Sequence, residues 1–263
     1  MFETIRIETD DRGVATLTLA RPDKHNALSG AMTVELAEAV GQLNADPKVR
    51  VVILTGDGKS FCAGGDLGWM QVQMSATREE RMEEAMKFAR MLGALNSMDK
   101  PLIGRVNGQA FGGGIGMMSV CDVAVAAKGA KFGLTEVRLG LIPATISPYV
   151  VARMGEARAR RVFFSARLFE AEEAVELGLA AKAVAPEALD EAVEAEVKPY
   201  LAAAPEAVAA SKRLVRLLGP QIDEALMAET AKRLADTWET ASASEGIAAF
   251  FEKRRAVWPE LRG

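Results

Sequence analysis

Two glycine-rich stretches hold the residues best suited to chemistry: Ala63-Gly64-Gly65-Asp66-Leu67 and Phe111-Gly112-Gly113-Gly114-Ile115-Gly116. Each follows an apolar segment with strand character, Val51–Leu54 and Leu102–Val106, and each runs into a helix-like segment. Without a Cβ, the backbone at such turns can approach a ligand closely, and its N–H groups are free at a helix start. Two such donors aimed at one point would stabilise a carbonyl oxygen on its way to an enolate. The pattern therefore points to an enzyme acting on acyl groups rather than to a binding module.

Neither stretch fits the common nucleotide motifs. Gly56-Asp57-Gly58-Lys59-Ser60 ends like a phosphate-binding loop, but that motif requires glycine where Ile53 stands. Counted from Gly112, a dinucleotide fingerprint would need glycine at Met117, and no opening βαβ unit surrounds it.

The elements that must position these turns are readable in outline. Ile5–Glu8 and Val14–Leu19 flank an Asp/Arg/Gly turn and form a hairpin. Ser29 caps a helix with Met32, Leu36, Val40 and Leu43 at helical spacing, and a buried strand follows over Val49–Leu54. Ser75–Met98 is charged and amphipathic, with Met82, Met86, Phe88 and Leu92 inward, and Thr77 with Glu80 makes a capping box. Val123–Ala126 and Lys131–Gly133 are further extended pieces. From Ser147 onward the chain reads as almost wholly helical. The fold class is α/β, with a loose strand-strand-helix recurrence. The division expected is a core over residues 1–198 and a helical region over 199–263, for packing and subunit contact.

Composition narrows the function. With 49% apolar residues the chain can bury a large core, yet no run nears the roughly 20 residues that cross a bilayer. The early strand leaves no visible signal peptide, and Cys62 and Cys121 have no metal or redox spacing, so a reduced, cytoplasmic setting is expected. His25 is the sole histidine and has no nucleophile elbow to serve. A net charge of −4 without an aromatic-plus-basic stripe argues against nucleic acid. No metal is expected.

Taken in order, several segments resemble the enoyl-CoA hydratase/isomerase (crotonase) superfamily. They are Arg21-Pro22 with Asn26-Ala27-Leu28, Ser60 to Leu67, Lys100-Pro101-Leu102-Ile103 and Val106-Asn107-Gly108. Gly112–Gly114 with Cys121-Asp122, Phe132 to Gly140, and Phe251-Glu252-Lys253-Arg254 complete the likeness, which spans essentially the whole chain. The resemblance implies a spiral of ββα turns, a trimer or dimer of trimers built through the C-terminal helices, and an acyl-CoA thioester substrate, with no separate cofactor. It makes Gly65 and Gly113 the two N–H donors to the thioester oxygen, with Ala63, Asp66, Leu67 and Gly68 lining the same turn. It sets Lys24 and Ala27 against the nucleotide part of CoA and Lys253 against a CoA phosphate on another subunit. Asp66 reads more simply as a helix cap than as an acid–base group.

One position departs from the pattern. Many hydratases of this family carry two glutamates, and here the first position is Gly116 while the second is kept as Glu136. Two carboxylates can orient a water and pass its proton on; one carboxylate alone more simply shuttles a proton between Cα and Cγ, which is isomerisation. A finer resemblance runs the other way. Phe111–Gly116 joined to Leu134–Pro148, continued by Arg160-Arg161 and Ala166–Phe169, is similar to bacterial methylglutaconyl-CoA hydratases of leucine and related isoprenoid breakdown, a branch that includes isohexenylglutaconyl-CoA hydratases. Such substrates carry a second carboxylate, for which Arg138 and Arg153 are candidates. Thr145, Ser147 or the substrate's own carboxylate would stand in for the missing glutamate. Hydration of a branched, carboxylated enoyl-CoA is thus expected, with a Δ3,Δ2-enoyl-CoA isomerase as the near rival. A silent CoA-ester or RNA binder, and a polar-acyl hydrolase or decarboxylase on the same scaffold, are the more distant ones.

Overall fold

The computed structural model describes residues 2–259. The N-terminal hairpin forms as read: β1 (Ile5–Thr9) pairs antiparallel with β2 (Val14–Leu19). Helix α1 (Gly30–Ala45) follows, its Ser29 cap accepting from the N–H of Met32. Next come β3 (Val51–Gly56), β4 (Ser60–Cys62), α2 (Leu67–Ser75) and α3 (Arg78–Ser97). The same order repeats with β5 (Leu102–Val106), β6 (Gln109–Phe111) and α4 (Gly113–Val120), then β7 (Val123–Ala127) and β8 (Lys131–Gly133). After a 3-10 turn at Glu136–Leu139 the chain runs through α5 (Ser147–Met154), α6 (Glu156–Phe163), β9 (Phe169–Glu170), α7 (Ala171–Glu176) and β10 (Lys182–Val184). Four helices close it: α8 (Leu189–Ala202), α9 (Pro205–Leu218), α10 (Glu224–Trp238) and α11 (Ala241–Phe251).

Successive strand pairs split between two sheets. In β3/β4, β5/β6 and β7/β8 the first strand joins a six-stranded sheet ordered β1-β2-β3-β5-β7-β10 and the second a four-stranded sheet ordered β4-β6-β8-β9, while the β1-β2 hairpin and β10 complete the larger sheet and β9 the smaller. Neighbours β2-β3, β3-β5 and β5-β7 are parallel, so the chain advances one turn of a spiral per strand-strand-helix unit. Alternation along the strands serves two cores. Leu17, Leu19, Val52 and Leu54 face the main core with α1, whereas Val14, Val51, Ile103 and Val125 pack against Leu189, Val193 and Val197 of α8.

Two expectations need adjusting. The segment after Ser147 contains β9 and β10, too short and too polar at Glu170 and Lys182 for a strand pattern to stand out. Pro199 lies inside α8, whose apolar face packs on the large sheet. The Ser75–Met98 stretch is broken at Ala76–Thr77. Its buried stripe is Ala85, Ala89, Met91, Leu92 and Leu95, with Met82, Met86 and Phe88 only half-buried.

Asn26 shows how the loops are fixed. It sits fully buried in the left-handed region (φ 54°). Its Oδ1 accepts from the N–H of Arg21 at 2.9 Å, and its Nδ2 donates to the carbonyls of Asp57 and Ser60 at 2.9 and 2.8 Å. Replacing Asn26 by Ala strands these three groups and keeps the strained backbone, so urea unfolding should show a loss of about 3 kcal/mol or more.

Candidate functional site

Both glycine turns are built to leave an N–H unused. Leu28 runs alongside Gly65 as a one-residue bridge: its N–H donates to Gly64 O at 2.7 Å and its carbonyl accepts from Asp66 N–H at 3.0 Å. Arg21 secures the same turn, donating to Ala27 O at 2.7 Å and to Asp66 at 2.9 Å. Asp66 caps α2 through the N–H groups of Gly68 and Trp69. Burial alone would raise its pKa, but the Trp69 N–H, the Arg21 guanidinium and the Gly68 N–H outweigh that and hold it below the usual aspartate value. Asp66 is therefore an engaged anion and a cap, as its sequence position suggested.

In the second turn Gly112 adopts φ 47° and donates to Gly133 O at 3.1 Å, which starts α4 at Gly113. Among the described residues, neither Gly65 N–H nor Gly113 N–H has an acceptor. The turns touch: a Cβ on Gly64 would lie 3.0 Å from Phe111 O and 3.9 Å from Gly113 N. Side chains are excluded at both ends of the second cluster, since a Cβ on Gly113 would strike Leu28 Cδ1 at 2.5 Å and one on Gly114 would strike Cys62 O at 2.4 Å.

Glu136 joins them from the 3-10 turn after β8. Gly65, Gly113 and Glu136 all line one cavity of about 570 Å³. Its wall is largely apolar, with Leu28, Met70, Phe88, Leu141 and Ile146 among the residues facing it. Oε1 of Glu136 lies where a Cβ on Gly112 would come within 2.7 Å, and Oε2 is buried with no hydrogen-bond partner among the described residues. Burial pushes this carboxyl up from the ordinary 4.5 to about 7, its own backbone N–H offsetting only part of the effect. A carboxyl with that pKa can both take and return a proton near neutrality.

The missing partner is accounted for by packing. A Cβ on Gly116 would meet Ile146 Cγ2 at 2.5 Å and Leu92 Cδ1 at 3.5 Å, so apolar carbon fills the space a second carboxylate would need. Of the proposed stand-ins, Thr145 is buried and lines the cavity, whereas Ser147 does not line it and donates to Ala144 O at 2.6 Å. Arg138 also lines the cavity, is exposed, and makes no ion pair among the described residues. Arg153 does not belong here. Its guanidinium donates to the carbonyls of Ser119, Cys121 and Asp122 at the end of α4, a structural use of its charge.

The remaining positions divide. Ala63 and Leu67 line the cavity; Gly68 only receives the Asp66 cap. Ala27 is buried behind the first turn, and Lys24 and Lys253 are exposed outside the cavity. His25 faces Ser60 (2.9 Å) rather than the cavity, and burial pushes the Cys62 and Cys121 thiols up to about 12, well away from a reactive thiolate. Residues that sequence reasoning passed over come from the last helices: Leu234 and Trp238 of α10 and Phe250 of α11 complete the wall. Nothing local marks them, because they reach the cavity through the packing of α10 on α3 and of α11 on the 3-10 turn after β8. No helix among the described residues is long and apolar enough to cross a membrane.

Comparison with known proteins fits this architecture. Residues 9–261 match the family model described as enoyl-CoA hydratase/isomerase. A crotonyl-CoA hydratase from Syntrophomonas wolfei is 35% identical over 258 residues, covering 97% of both chains. The crystal structure of an enoyl-CoA hydratase from Shewanella pealeana superposes with a TM-score of 0.81 at 35% identity over 98% of this chain and 97% of that one. Pseudomonas aeruginosa AtuE superposes with 0.80 at 37% identity over 97% and 99%. The chain belongs to the enoyl-CoA hydratase/isomerase family and has the crotonase fold, with a helical C-terminal region.

Two consequences can be measured. Gly112→Ala forces a Cβ against Glu136 in a left-handed turn, so on the expectation that this carboxyl carries the proton, turnover should fall at least about a hundredfold. The raised pKa of Glu136 sets a sign for stability. Between about 4.5 and 7 the unfolded chain releases this proton while the folded chain keeps it, so the group's contribution declines with rising pH across that window. Glu136→Gln should be as stable as the parent below pH 4.5 and more stable above pH 7, by up to about 3 kcal/mol in urea unfolding.

Proposed function

We propose that this enzyme adds water across the double bond of a branched, carboxylated 2-enoyl-CoA such as 3-methylglutaconyl-CoA. The observation that carries the reading is the buried Oε2 of Glu136, unpartnered among the described residues, in a cavity also lined by Gly65 and Gly113, whose N–H groups have no acceptor there. In this reading the thioester oxygen accepts from both amides. Glu136 takes a proton from water as the hydroxyl bonds to Cβ, the electrons of the double bond move into the enolate, and Glu136 returns the proton to Cα. The amides favour the oxygen most when it carries enolate charge, and each such donor is worth about 2.7–4 kcal/mol in the transition state.

Arg138 supports a carboxylated acyl group, as a cation without an ion-pair partner among the described residues on a mostly apolar wall. With Ile146 over Gly116, the water's second contact falls to the Thr145 hydroxyl or to the substrate's own carboxylate. Lys24, Ala27 and, from a neighbouring subunit, Lys253 serve the CoA moiety. Assembly as a trimer or dimer of trimers is favoured by Leu214, Val215, Leu217 and Leu218 of α9, all exposed in the single chain. The expected setting is leucine or related isoprenoid breakdown in the cytoplasm.

The apolar seal at Gly116 favours a second reading, Δ3,Δ2-enoyl-CoA isomerisation by Glu136 alone. Turnover of 3-methylglutaconyl-CoA in ¹⁸O-labelled water should put label on the Cβ oxygen of the product; conversion of a 3-enoyl-CoA to the 2-enoyl form without any label would establish the isomerase instead. Glu136→Gln should lower kcat by about 10²–10⁴ while CoA-ester binding survives, and unchanged turnover would remove Glu136 from the chemistry. Arg138→Met should raise KM for the carboxylated substrate while leaving crotonyl-CoA little affected.

A further inference from the structure

The cavity lining is chemically mixed. Ser29, Thr33, Glu84 and Lys87 offer hydroxyls and charges, while Leu139, Leu141, Leu234, Trp238 and Phe250 contribute an apolar face. Pantetheine carries two amides and an alkyl tail carries none, so the apolar face is the one an acyl group is suited to bury. That face belongs to a small cluster of its own, Leu141, Trp238, Ala243 and Ile247 with Leu139, Leu234 and Phe251 packed on it. Trp238 is the largest side chain there and is 7% exposed.

Trp238 is also held by a cation. The Arg81 guanidinium lies over its ring, 5.3 Å from the centroid. Arg81, from α3, is only 10% exposed and pairs with Glu239, the residue after Trp238. It further donates to the carbonyls of Gln73 at 2.8 Å and Met74 at 3.3 Å, in the last turn of α2. One guanidinium thus ties together α2, α3 and α10, the three helices that supply Met70, Phe88 and Trp238 to the cavity. Neither Arg81 nor Trp238 has a part in the proton transfer described above.

We propose that Trp238 is the specificity-determining stop against which the acyl group ends, and that Arg81 is its positioning residue. The inference rests on the acyl-CoA reading of the cavity. A ring covered by a largely buried cation and packed within an apolar cluster is hindered from swinging aside for a longer chain. The pocket then selects for compact, branched acyl groups and against extended ones.

The test reads acyl size without turnover. Calorimetric binding of saturated four-carbon and ten-carbon acyl-CoA thioesters is compared for the parent, Trp238→Ala, Trp238→Leu, Arg81→Met and Arg81→Lys. The ratio of the two affinities, taken on the same preparation, is insensitive to the fraction of folded protein. Trp238→Ala should move this ratio toward the longer chain by about tenfold or more, with Trp238→Leu intermediate. Arg81→Met should move it the same way, Arg81→Lys less because a cation remains over the ring, and adding Arg81→Met to Trp238→Ala should move it no further. Ratios within about twofold of the parent in both Trp238 variants would overturn the proposal while leaving the hydratase reading intact. Additive shifts in the double variant would overturn the role given to Arg81. A parent chain that binds neither thioester would overturn the acyl-CoA reading and this inference together.

Discussion

Gly65 and Gly113 present backbone N–H groups that no carbonyl among the described residues takes up, and much of the local structure keeps them so. A buried amide without an acceptor costs about 1–3 kcal/mol, and two side by side would be removed by any small rearrangement that let them pair. The rearrangement is blocked sterically and by anchoring. Leu28 is bridged to the first turn, Arg21 and Asn26 hold Leu28's neighbours, and the second turn is pinned by Gly112 to Gly133. The glycines are then less a matter of flexibility than of space, since at positions 113 and 114 the nearest atoms already stand where a Cβ would go.

Glu136 follows the same logic with a charge instead of an amide. Its carboxyl is kept short of partners by the approach of Gly112 and by its apolar surroundings, and burial raises its pKa toward neutrality. A salt bridge would have given a more stable protein and a carboxylate too weakly basic to accept a proton. The 3-10 turn that carries Glu136 is backed by α11, where Gly140 is left-handed and a Cβ on it would strike the Ser242 carbonyl. The C-terminal helices therefore support the turn that carries Glu136 as well as walling the cavity.

Much of this was legible in the residues themselves. The hairpin, the Ser29 cap, the capping box at Thr77 and the glycine turns are local, short-range patterns whose physical cause lies within a few residues. Asp66 as a cap was readable for the same reason. What escaped depends on contacts between distant segments. Arg153 is indistinguishable in sequence from a substrate-facing arginine until the end of α4 is found beneath it. Gly116 looks like a lost carboxylate, and only the position of Ile146 shows that the space is lost too. The wall supplied by Leu234, Trp238 and Phe250 depends on α10 folding back along α3 and α11 packing on the 3-10 turn, which no periodicity encodes.

The claim that most needs direct measurement is that the two amides polarise one thioester oxygen. Isotope-edited infrared spectroscopy of a bound enoyl-CoA, labelled with ¹³C at the thioester carbonyl, reports on that bond alone. The account predicts a carbonyl stretch shifted to clearly lower frequency than in water, as expected of an oxygen accepting two well-aligned hydrogen bonds in an apolar cavity. A bound thioester whose stretch matches or exceeds its value in water would contradict it, because the oxygen would then have left solvent without finding either amide.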